Sequence, residues 1–450
     1  MKAKFKVIEG AIVAPKGFKA AGVFCDIKRL GTGKGSNKGD KRDLALIVSD
    51  APATVAGMFT TNQVCAAPVK VCLERVKRGT AQAVVVNSGN ANACTGKQGL
   101  ADAREMAGFT ERALILPRGS VFVGSTGRIG VTMPMDNVRA GIVEAAVELG
   151  STADHAAEAA EAIMTSDTRP KQIAVEFKLG GRTVRIGGMC KGAGMIQPGM
   201  SATGKRPAAF PAGLHATMLC FITTDAAIGA KALQAALQEA VAQSFNRITV
   251  DGDMSTNDTV LVLANGLAGN AEVSSQKPEA RMFQDALNHV CLELAKMIVR
   301  DGEGVSRVVT IRVNGAKSPA DADAAARAVA NSALVKTSWH GGDPNWGRII
   351  DAIGYSPATV VEEKVNIGYS APAPNSGAAR RGKILWSLKR GQPTKATFKE
   401  LCAAVAPKEF DLHINLNLGK ASAIMYAADL TEEYVDFNKG DVGDPASLGG

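Results

Sequence analysis

Residues 191–226 read KGAGMIQPGM, then SATGKRPAAFPAGLH, then ATMLCFITTDA. The last part decides the fold, because the apolar run after Thr217 has the length and composition of a buried strand, with the threonine at its head. A chain-internal threonine between a small residue and such a run stands where a new N-terminus would have to form. Its hydroxyl is a weak nucleophile, but cutting Ala216–Thr217 would give it an α-amine with a pKa of about 7.7–8.0. That amine can act as base for its own side chain. The fifteen residues Ser201–His215, rich in Pro, Gly and Ala, read as a loop.

The 450 residues leave room for two or three structural units, and 46% hydrophobic content is that of packed globular material. With only 5% aromatics, the cores must rely on aliphatic side chains and close backbone approach. No window reaches the roughly 18–20 apolar residues of a membrane span, and MKAKFKVIEG lacks the apolar core of a leader, so a soluble, cytoplasmic protein is expected. The eight cysteines include no C-x-x-C, which argues against a zinc site or disulfide framework and for reduced core residues. A net charge of +9 sits partly in clusters at 34–42 and 205–207 without interleaved aromatics. Solvated loops explain it better than nucleic-acid binding, and an anionic substrate stays compatible. Neither a phosphate-binding loop nor a dinucleotide fingerprint appears, so no bound cofactor is expected.

Read in order, residues 10–69 suggest strands joined by loops, and Ala83–Val86 a strand ending in an Asn/Gly turn at 87–92. That turn either reverses the chain or lines a pocket with its amides. Helical spacing covers 100–112, 138–165, 231–243, 276–299, 320–334 and 397–405. A short strand at Val121–Val123 delivers Gly124, Ser125, Thr126 and Gly127 at its end, where small residues and a hydroxyl suit an oxyanion site. Residues 172–189 read as a hairpin turned by a Gly-Gly pair. Asp251–Asp258 holds three aspartates between apolar runs; the spacing lacks the calcium-loop pattern and indicates a hydrogen-bonded turn near a pocket. His155 in a helix, His215, and His340 in a glycine-rich loop form no evident catalytic set.

Taken together, APKGFKAAG, DLALIVSD, GMFTTNQV, VVNSGNANACTG, GSTG, MTSDT, KGAGMI, ATML, SFNRITVDGDMSTNDT, RDGEGV, DPNWGRII and DLTEEYV resemble the bifunctional ornithine acetyltransferase and glutamate N-acetyltransferase family of arginine biosynthesis. The resemblance implies an α/β sandwich with two central β layers flanked by helices, of the N-terminal-nucleophile kind. It implies self-cleavage at Ala216–Thr217 into an α chain, 1–216, and a β chain, 217–450, assembled as an α2β2 heterotetramer. Thr217 would carry the acetyl group, Thr126 and Gly127 would donate to the oxyanion, and Thr168, Lys191, Glu303 and Asn438 would contact N-acetylornithine and glutamate. Acetyl-CoA would be a possible second donor.

Members of that family usually run from the KGAGMI-like segment through a Pro and a Met straight into ATML, whereas here Ser201–His215 intervenes. This insert contains a second Ala-Thr bond, Ala202–Thr203, but Thr203 is followed by GKRP, a loop composition, and Thr217 by the apolar run. The tail after Asn438 departs from the family, and the Lys/Gly loop at 31–42 is extended. Two rival readings use the same residues: an N-terminal-nucleophile amidase or aminopeptidase that passes the acyl group to water, and an uncleaved relative that binds without catalysing.

Overall fold

The computed structural model describes residues 5–30, 41–205, 218–274, 278–372 and 383–439. The Ala216–Thr217 bond, His215 with most of the insert, and residues 31–40 lie outside them. Two units are formed, a larger one from residues up to Asn246 together with Asp253–Asp301, and a smaller one from Arg247–Gly252 and Gly302–Phe437.

The larger unit is built on one mixed sheet of nine strands. They are β1 (Lys6–Ile8), β2 (Phe18–Val23), β3 (Leu44–Phe59), β4 (Thr80–Asn90), β5 (Val121–Arg128), β6 (Lys171–Leu179), β7 (Arg182–Lys191), β8 (Leu219–Thr224) and β9 (Thr259–Ala264). The order is β1-β6-β7-β8-β9-β3-β4-β5, with β2 also paired to β3. Only β8–β9 and β4–β5 run parallel. Every residue of β8 and β9 is buried, as the uninterrupted apolar runs LCFITT and TVLVLA require of central strands covered on both faces. Helices Ala230–Gln243 and Pro278–Arg300 pack on β3 and on β6 and β7, while Met135–Val147 and Ala153–Ala162 pack on β2 and β3. The sheet curls strongly: the Phe221 ring of β8 lies 3.1 Å from where a Cβ on Gly124 of β5 would sit. The sheet interleaves the two expected fragments, β8 of 217–450 lying between β7 of 1–216 and β9 of 217–450.

The smaller unit carries a seven-stranded mixed sheet built from β10 (Val308–Ala316), β11 (Asn366–Ser370), β12 (Leu385–Lys389), β13 (Glu409–Asn415) and β14 (Ala421–Ala428). Two-residue strands at Gln392–Pro393 and Ile248–Thr249 close its edges. Helix Pro319–Asn331 packs on β10 and β14. It begins where Ser318 accepts the Asp321 N–H and Pro319 supplies a preset φ. Thr397 and Glu400 cap the Phe398–Val405 helix reciprocally. Both units are thus mixed sheets flanked by helices.

Four local expectations need correction. The helix expected at 138–165 is two, Met135–Val147 and Ala153–Ala162. Between them Gly150 exchanges both backbone hydrogen bonds with Ala20 of β2, at 2.9 and 3.1 Å, which a continuous helix would forbid. Residues 87–90 do not turn but continue β4, and 124–128 continue β5, with Ser88 opposite Thr126 and Gly89 opposite Gly127. The reversal comes later, at Asn92 and Cys94, both with positive φ. The 320–334 helix stops at Asn331; Ser332 caps a second helix, Ala333–His340, so His340 ends a helix rather than lying in a loop. Of the eight free cysteines five are buried, while Cys65 and Cys402 are half-buried and Cys94 is exposed.

Candidate active site

The polar heart of the larger unit gathers where β5, β7 and the start of β8 meet. The parallel register of β4 and β5 sets Ser125 and Thr126, both buried, on opposite faces of β5. Ser125 Oγ donates to Asn87 Oδ1 at 2.6 Å, and the Asn257 side chain donates to the carbonyls of Ser125 and Ala91, each at 2.7 Å. The other face is left to Thr126. Gly127 follows with φ +128, and a Cβ there would come 2.3 Å from the Gly89 carbonyl carbon, so only glycine lets the two strands approach.

Lys191 closes β7 opposite Leu219, the first residue of β8. Its ammonium is buried and donates to Thr165 Oγ1 at 2.7 Å and Thr126 Oγ1 at 3.3 Å. Asp167 lies 3.9 Å away and is fully buried. Its Oδ1 accepts from Lys171 Nζ at 2.6 Å and from the Gly192 N–H at 2.7 Å. Burial pushes the Asp167 carboxyl up, but the charges of Lys171 and Lys191 and the Gly192 amide outweigh it and hold the group well below the usual carboxylate range. Lys171 in turn reaches Asp301 Oδ2 at 2.5 Å. Desolvation lowers its ammonium, and the Asp167 and Asp301 charges more than reverse that, leaving it raised. Thr168 is exposed and hangs from the same Asp301 through its amide at 3.1 Å and its hydroxyl. A chain of alternating charge therefore runs Lys191, Asp167, Lys171, Asp301, with the neutral Thr168 hydrogen-bonded at its end.

A second anchor lies at the head of β8. The Met218 N–H donates to Asp258 Oδ1 at 2.6 Å, and the Thr259 N–H donates to the Met218 carbonyl at 3.1 Å. Asp258 is fully buried, and desolvation raises its carboxyl well above the ordinary range against the Met218 amide and the Lys191 charge.

The structure thus brings Thr126, Gly127 and Lys191 together and ties Thr168 to them through the ion chain. Glu303 belongs to the smaller unit, beside Gly304, whose carbonyl accepts the Thr431 hydroxyl at 2.8 Å. Asn438 is exposed, just past the helix Glu432–Phe437. Thr203 is exposed in a turn, its hydroxyl accepting the Lys205 N–H at 3.3 Å. Sequence reading does not single out Asp167, Lys171 or Asp301, and gives Asp258 only as the end of the aspartate-bearing turn at 251–258. The Asp-x-x-x-Lys spacing at 167–171 is the only local trace of the ion chain, and the same pattern is commonplace on solvated surfaces.

Buried ammonium groups among hydroxyls and carboxylates, gathered around the head of a fully buried strand, define an α/β protein with the site of an enzyme; structural cores seldom retain such groups. Comparison with known proteins narrows the class. Residues 19–440 match the model of the ArgJ family. The chain is similar to the arginine biosynthesis bifunctional protein ArgJ of Symbiobacterium thermophilum, 46% identical over 96% of this chain and 98% of that protein. It is also similar to the glutamate N-acetyltransferase of Methanocaldococcus jannaschii, 43% identical over 96% and 98%. A crystal structure of Mycobacterium tuberculosis ornithine acetyltransferase complexed with ornithine shares 38% identity over 44% of this chain and 100% of that one, with a TM-score of 0.39. This chain belongs to the ArgJ family.

Proposed function

We propose that this protein is an acyltransferase of arginine biosynthesis that moves acetyl from N-acetylornithine to glutamate through an acetyl ester on Thr217. The observation that carries the reading is the match to bifunctional ArgJ proteins and a glutamate N-acetyltransferase at 43–46% identity along 96% of the chain. The cluster of Thr126, Gly127 and Lys191 beside the head of β8 supports it.

In this reading the chain first cuts itself at Ala216–Thr217. Thr217 is preferred to Thr203 because it leads directly into a rigid central strand. Its new α-amine takes the Oγ proton as Oγ attacks the acetyl carbon of N-acetylornithine. The tetrahedral oxyanion is held by donors at Thr126 and Gly127, each such donor being worth about 3–4 kcal/mol of barrier. Collapse breaks the bond to ornithine's nitrogen, which takes the proton back from the α-amine. The amine of glutamate then attacks the ester by the same route and leaves acetylated. Lys191 offers a positive charge for a substrate carboxylate; Thr168, Glu303 and Asn438 keep their substrate contacts. Acetyl-CoA serves as a second donor, two copies of each fragment assemble, and the protein works in the cytoplasm.

Three assays test this. With N-acetylornithine and glutamate, N-acetylglutamate and ornithine should form in equal amounts; acetate released at the same rate with and without glutamate would instead mark an amidase. Mass spectrometry should find two fragments, the second starting at Thr217, and Thr217→Ala should stay a single inactive chain. Acetyl-CoA with glutamate alone should yield N-acetylglutamate.

A further inference from the structure

Of the two threonines in the segment Met164–Thr168, the one with a proton left to give is Thr165. Thr168 spends its hydroxyl proton on Asp301 Oδ1 and its amide on Asp301 Oδ2, the latter at 3.1 Å. Its side chain therefore offers a ligand only lone pairs. Thr165 lies between helix Ala153–Ala162 and β6. Its amide donates to Asp167 Oδ2 at 3.0 Å, and its half-buried hydroxyl accepts from the Lys191 ammonium at 2.7 Å.

The Lys191 contact fixes which way that hydroxyl works. An ammonium has N–H groups and no lone pair, so an oxygen that accepts from it cannot direct its own proton back. Among the described residues the Thr165 proton has no acceptor. Thr126 is in the same position, its Oγ1 accepting from Lys191 at 3.3 Å, but it is buried. Asp167 does not compete for the ammonium: its Oδ2 stands 3.9 Å away, beyond hydrogen-bond reach, and already takes the Thr165 amide.

We infer that Thr165 and Lys191 form one subsite for the carboxylate of an amino-acid substrate. Lys191 supplies the charge, and Thr165, held by that same charge as a donor, supplies a directed hydrogen bond. The half-buried position of Thr165 suits a group that keeps part of its hydration, whereas the buried Thr126 is left for the acyl oxygen. On the acetyl-transfer reading above, on which the identity of the ligand rests, this carboxylate is that of N-acetylornithine. Thr168, left as an acceptor, takes no part in holding it.

The test compares the full-length protein with Thr165→Val, which keeps the shape and the amide, and with Thr165→Ser, which keeps the hydroxyl. Calorimetric titration with N-acetylornithine should give a Kd raised about 10–100-fold in the Val chain, the loss of one hydrogen bond to a charged group, and restored by Ser. In acetyl transfer the Val chain should lose the same factor in kcat/KM, with kcat kept within about threefold. N-acetylputrescine, the same donor without its carboxylate, should be a poor substrate of the parent and no poorer a substrate of the Val chain. An unchanged Kd, or an equal loss of kcat/KM with both donors, overturns the subsite. If the parent binds N-acetylornithine and the Val chain binds it weakly, but neither transfers acetyl, the transfer reading falls and the subsite stands. If the parent does not bind N-acetylornithine, the subsite falls. Circular dichroism checks that each chain is folded, and Thr165→Ala replaces a Val chain that is not.

Discussion

Lys171→Met isolates the buried charge chain with little change in shape, because the methionine stem nearly fills the lysine's track. What disappears is one positive charge lying 2.6 Å from Asp167 and 2.5 Å from Asp301, with side chains 1%, 0% and 3% exposed. Removing one partner from a buried ion cluster costs about 3–5 kcal/mol, since the remaining charges keep their desolvation penalty without the attraction. Two lost charge-assisted hydrogen bonds at about 1.5–3 kcal/mol each give an overlapping range of about 3–6 kcal/mol. Lys191, 3.9 Å from Asp167, and Arg169, 3.7 Å from Asp301, compensate in part and favour its lower end.

At roughly 2–4 °C per kcal/mol, the larger unit should melt about 6–15 °C lower. The pH dependence follows from the shifts. The depressed Asp167 carboxyl contributes stability above the ordinary carboxylate pKa and loses it as pH falls toward its folded value. The raised Lys171 ammonium contributes stability below the ordinary lysine pKa and loses it as pH rises through its folded value. At pH 7 the pair is therefore fully effective, and the deficit of the variant should be largest there and narrow below about pH 4, where the parent gives up its own share. Urea unfolding of both proteins at pH 7 and in acid, followed by circular dichroism, measures it. A deficit under about 1 kcal/mol at pH 7, or one that widens toward acid, would refute the reasoning. Because Thr168 hangs from Asp301, KM should also rise more than kcat falls if Thr168 holds substrate.

Two further outcomes follow from other parts of the structure. Gly127→Ala would force a Cβ to within 2.3 Å of the Gly89 carbonyl carbon at φ +128; stability should drop by about 2 kcal/mol or more, and, on the proposed oxyanion role of Gly127, kcat should fall by at least about 100-fold as the local N–H turns away. In the smaller unit, burial pushes the Lys336 ammonium down to about 8 against the charges of Asp251 and Asp429. The unfolded chain then binds the extra proton between about pH 8 and 10, so stability should climb with pH in that window by up to about 1.4 kcal/mol per unit, and Lys336→Met should abolish the climb in thermal melts.

How far the fold could be read in the sequence depended on whether its determinants were local. The runs LCFITT and TVLVLA announce central strands because burial on both faces leaves nothing polar to alternate, and the Gly180–Gly181 pair announces its hairpin because both residues take positive φ. The 138–165 helix misled because its interruption is made by Ala20, far away in the chain, which claims the backbone of Gly150. Asn87–Asn90 misled for the same reason: asparagine and glycine favour turns locally, but β5 pairs with this segment and its side chains are engaged by Ser125 and by the carbonyls of Val131 and Thr132. At the site, Thr126, Gly127 and Lys191 came from the pattern of motifs. Asp167, Asp301 and Asp258 did not, because an aspartate shows nothing in sequence about whether it will be buried, and burial is what gives these three their chemistry.

The same distinction bears on the insert Ser201–His215. Ser201 exchanges backbone hydrogen bonds with Phe59 at 2.8 and 2.9 Å, Phe59 of β3 lies opposite Thr259 of β9, and Thr259 lies opposite Leu219 of β8. Three strand spacings therefore separate the two ends of the segment, about 14 Å. Four or five extended residues would bridge that gap, so the chain linking Ser201 to Leu219 is several times longer than its task requires. A surplus of this kind adds little to the cost of closing the loop, because that cost grows only with the logarithm of length. Nor does it load the anchors, since Ser201 is held by β3 and Met218 by Asp258 whatever lies between. If the chain is cut at Ala216–Thr217 as proposed, the length of the insert alone therefore sets no energetic obstacle to it.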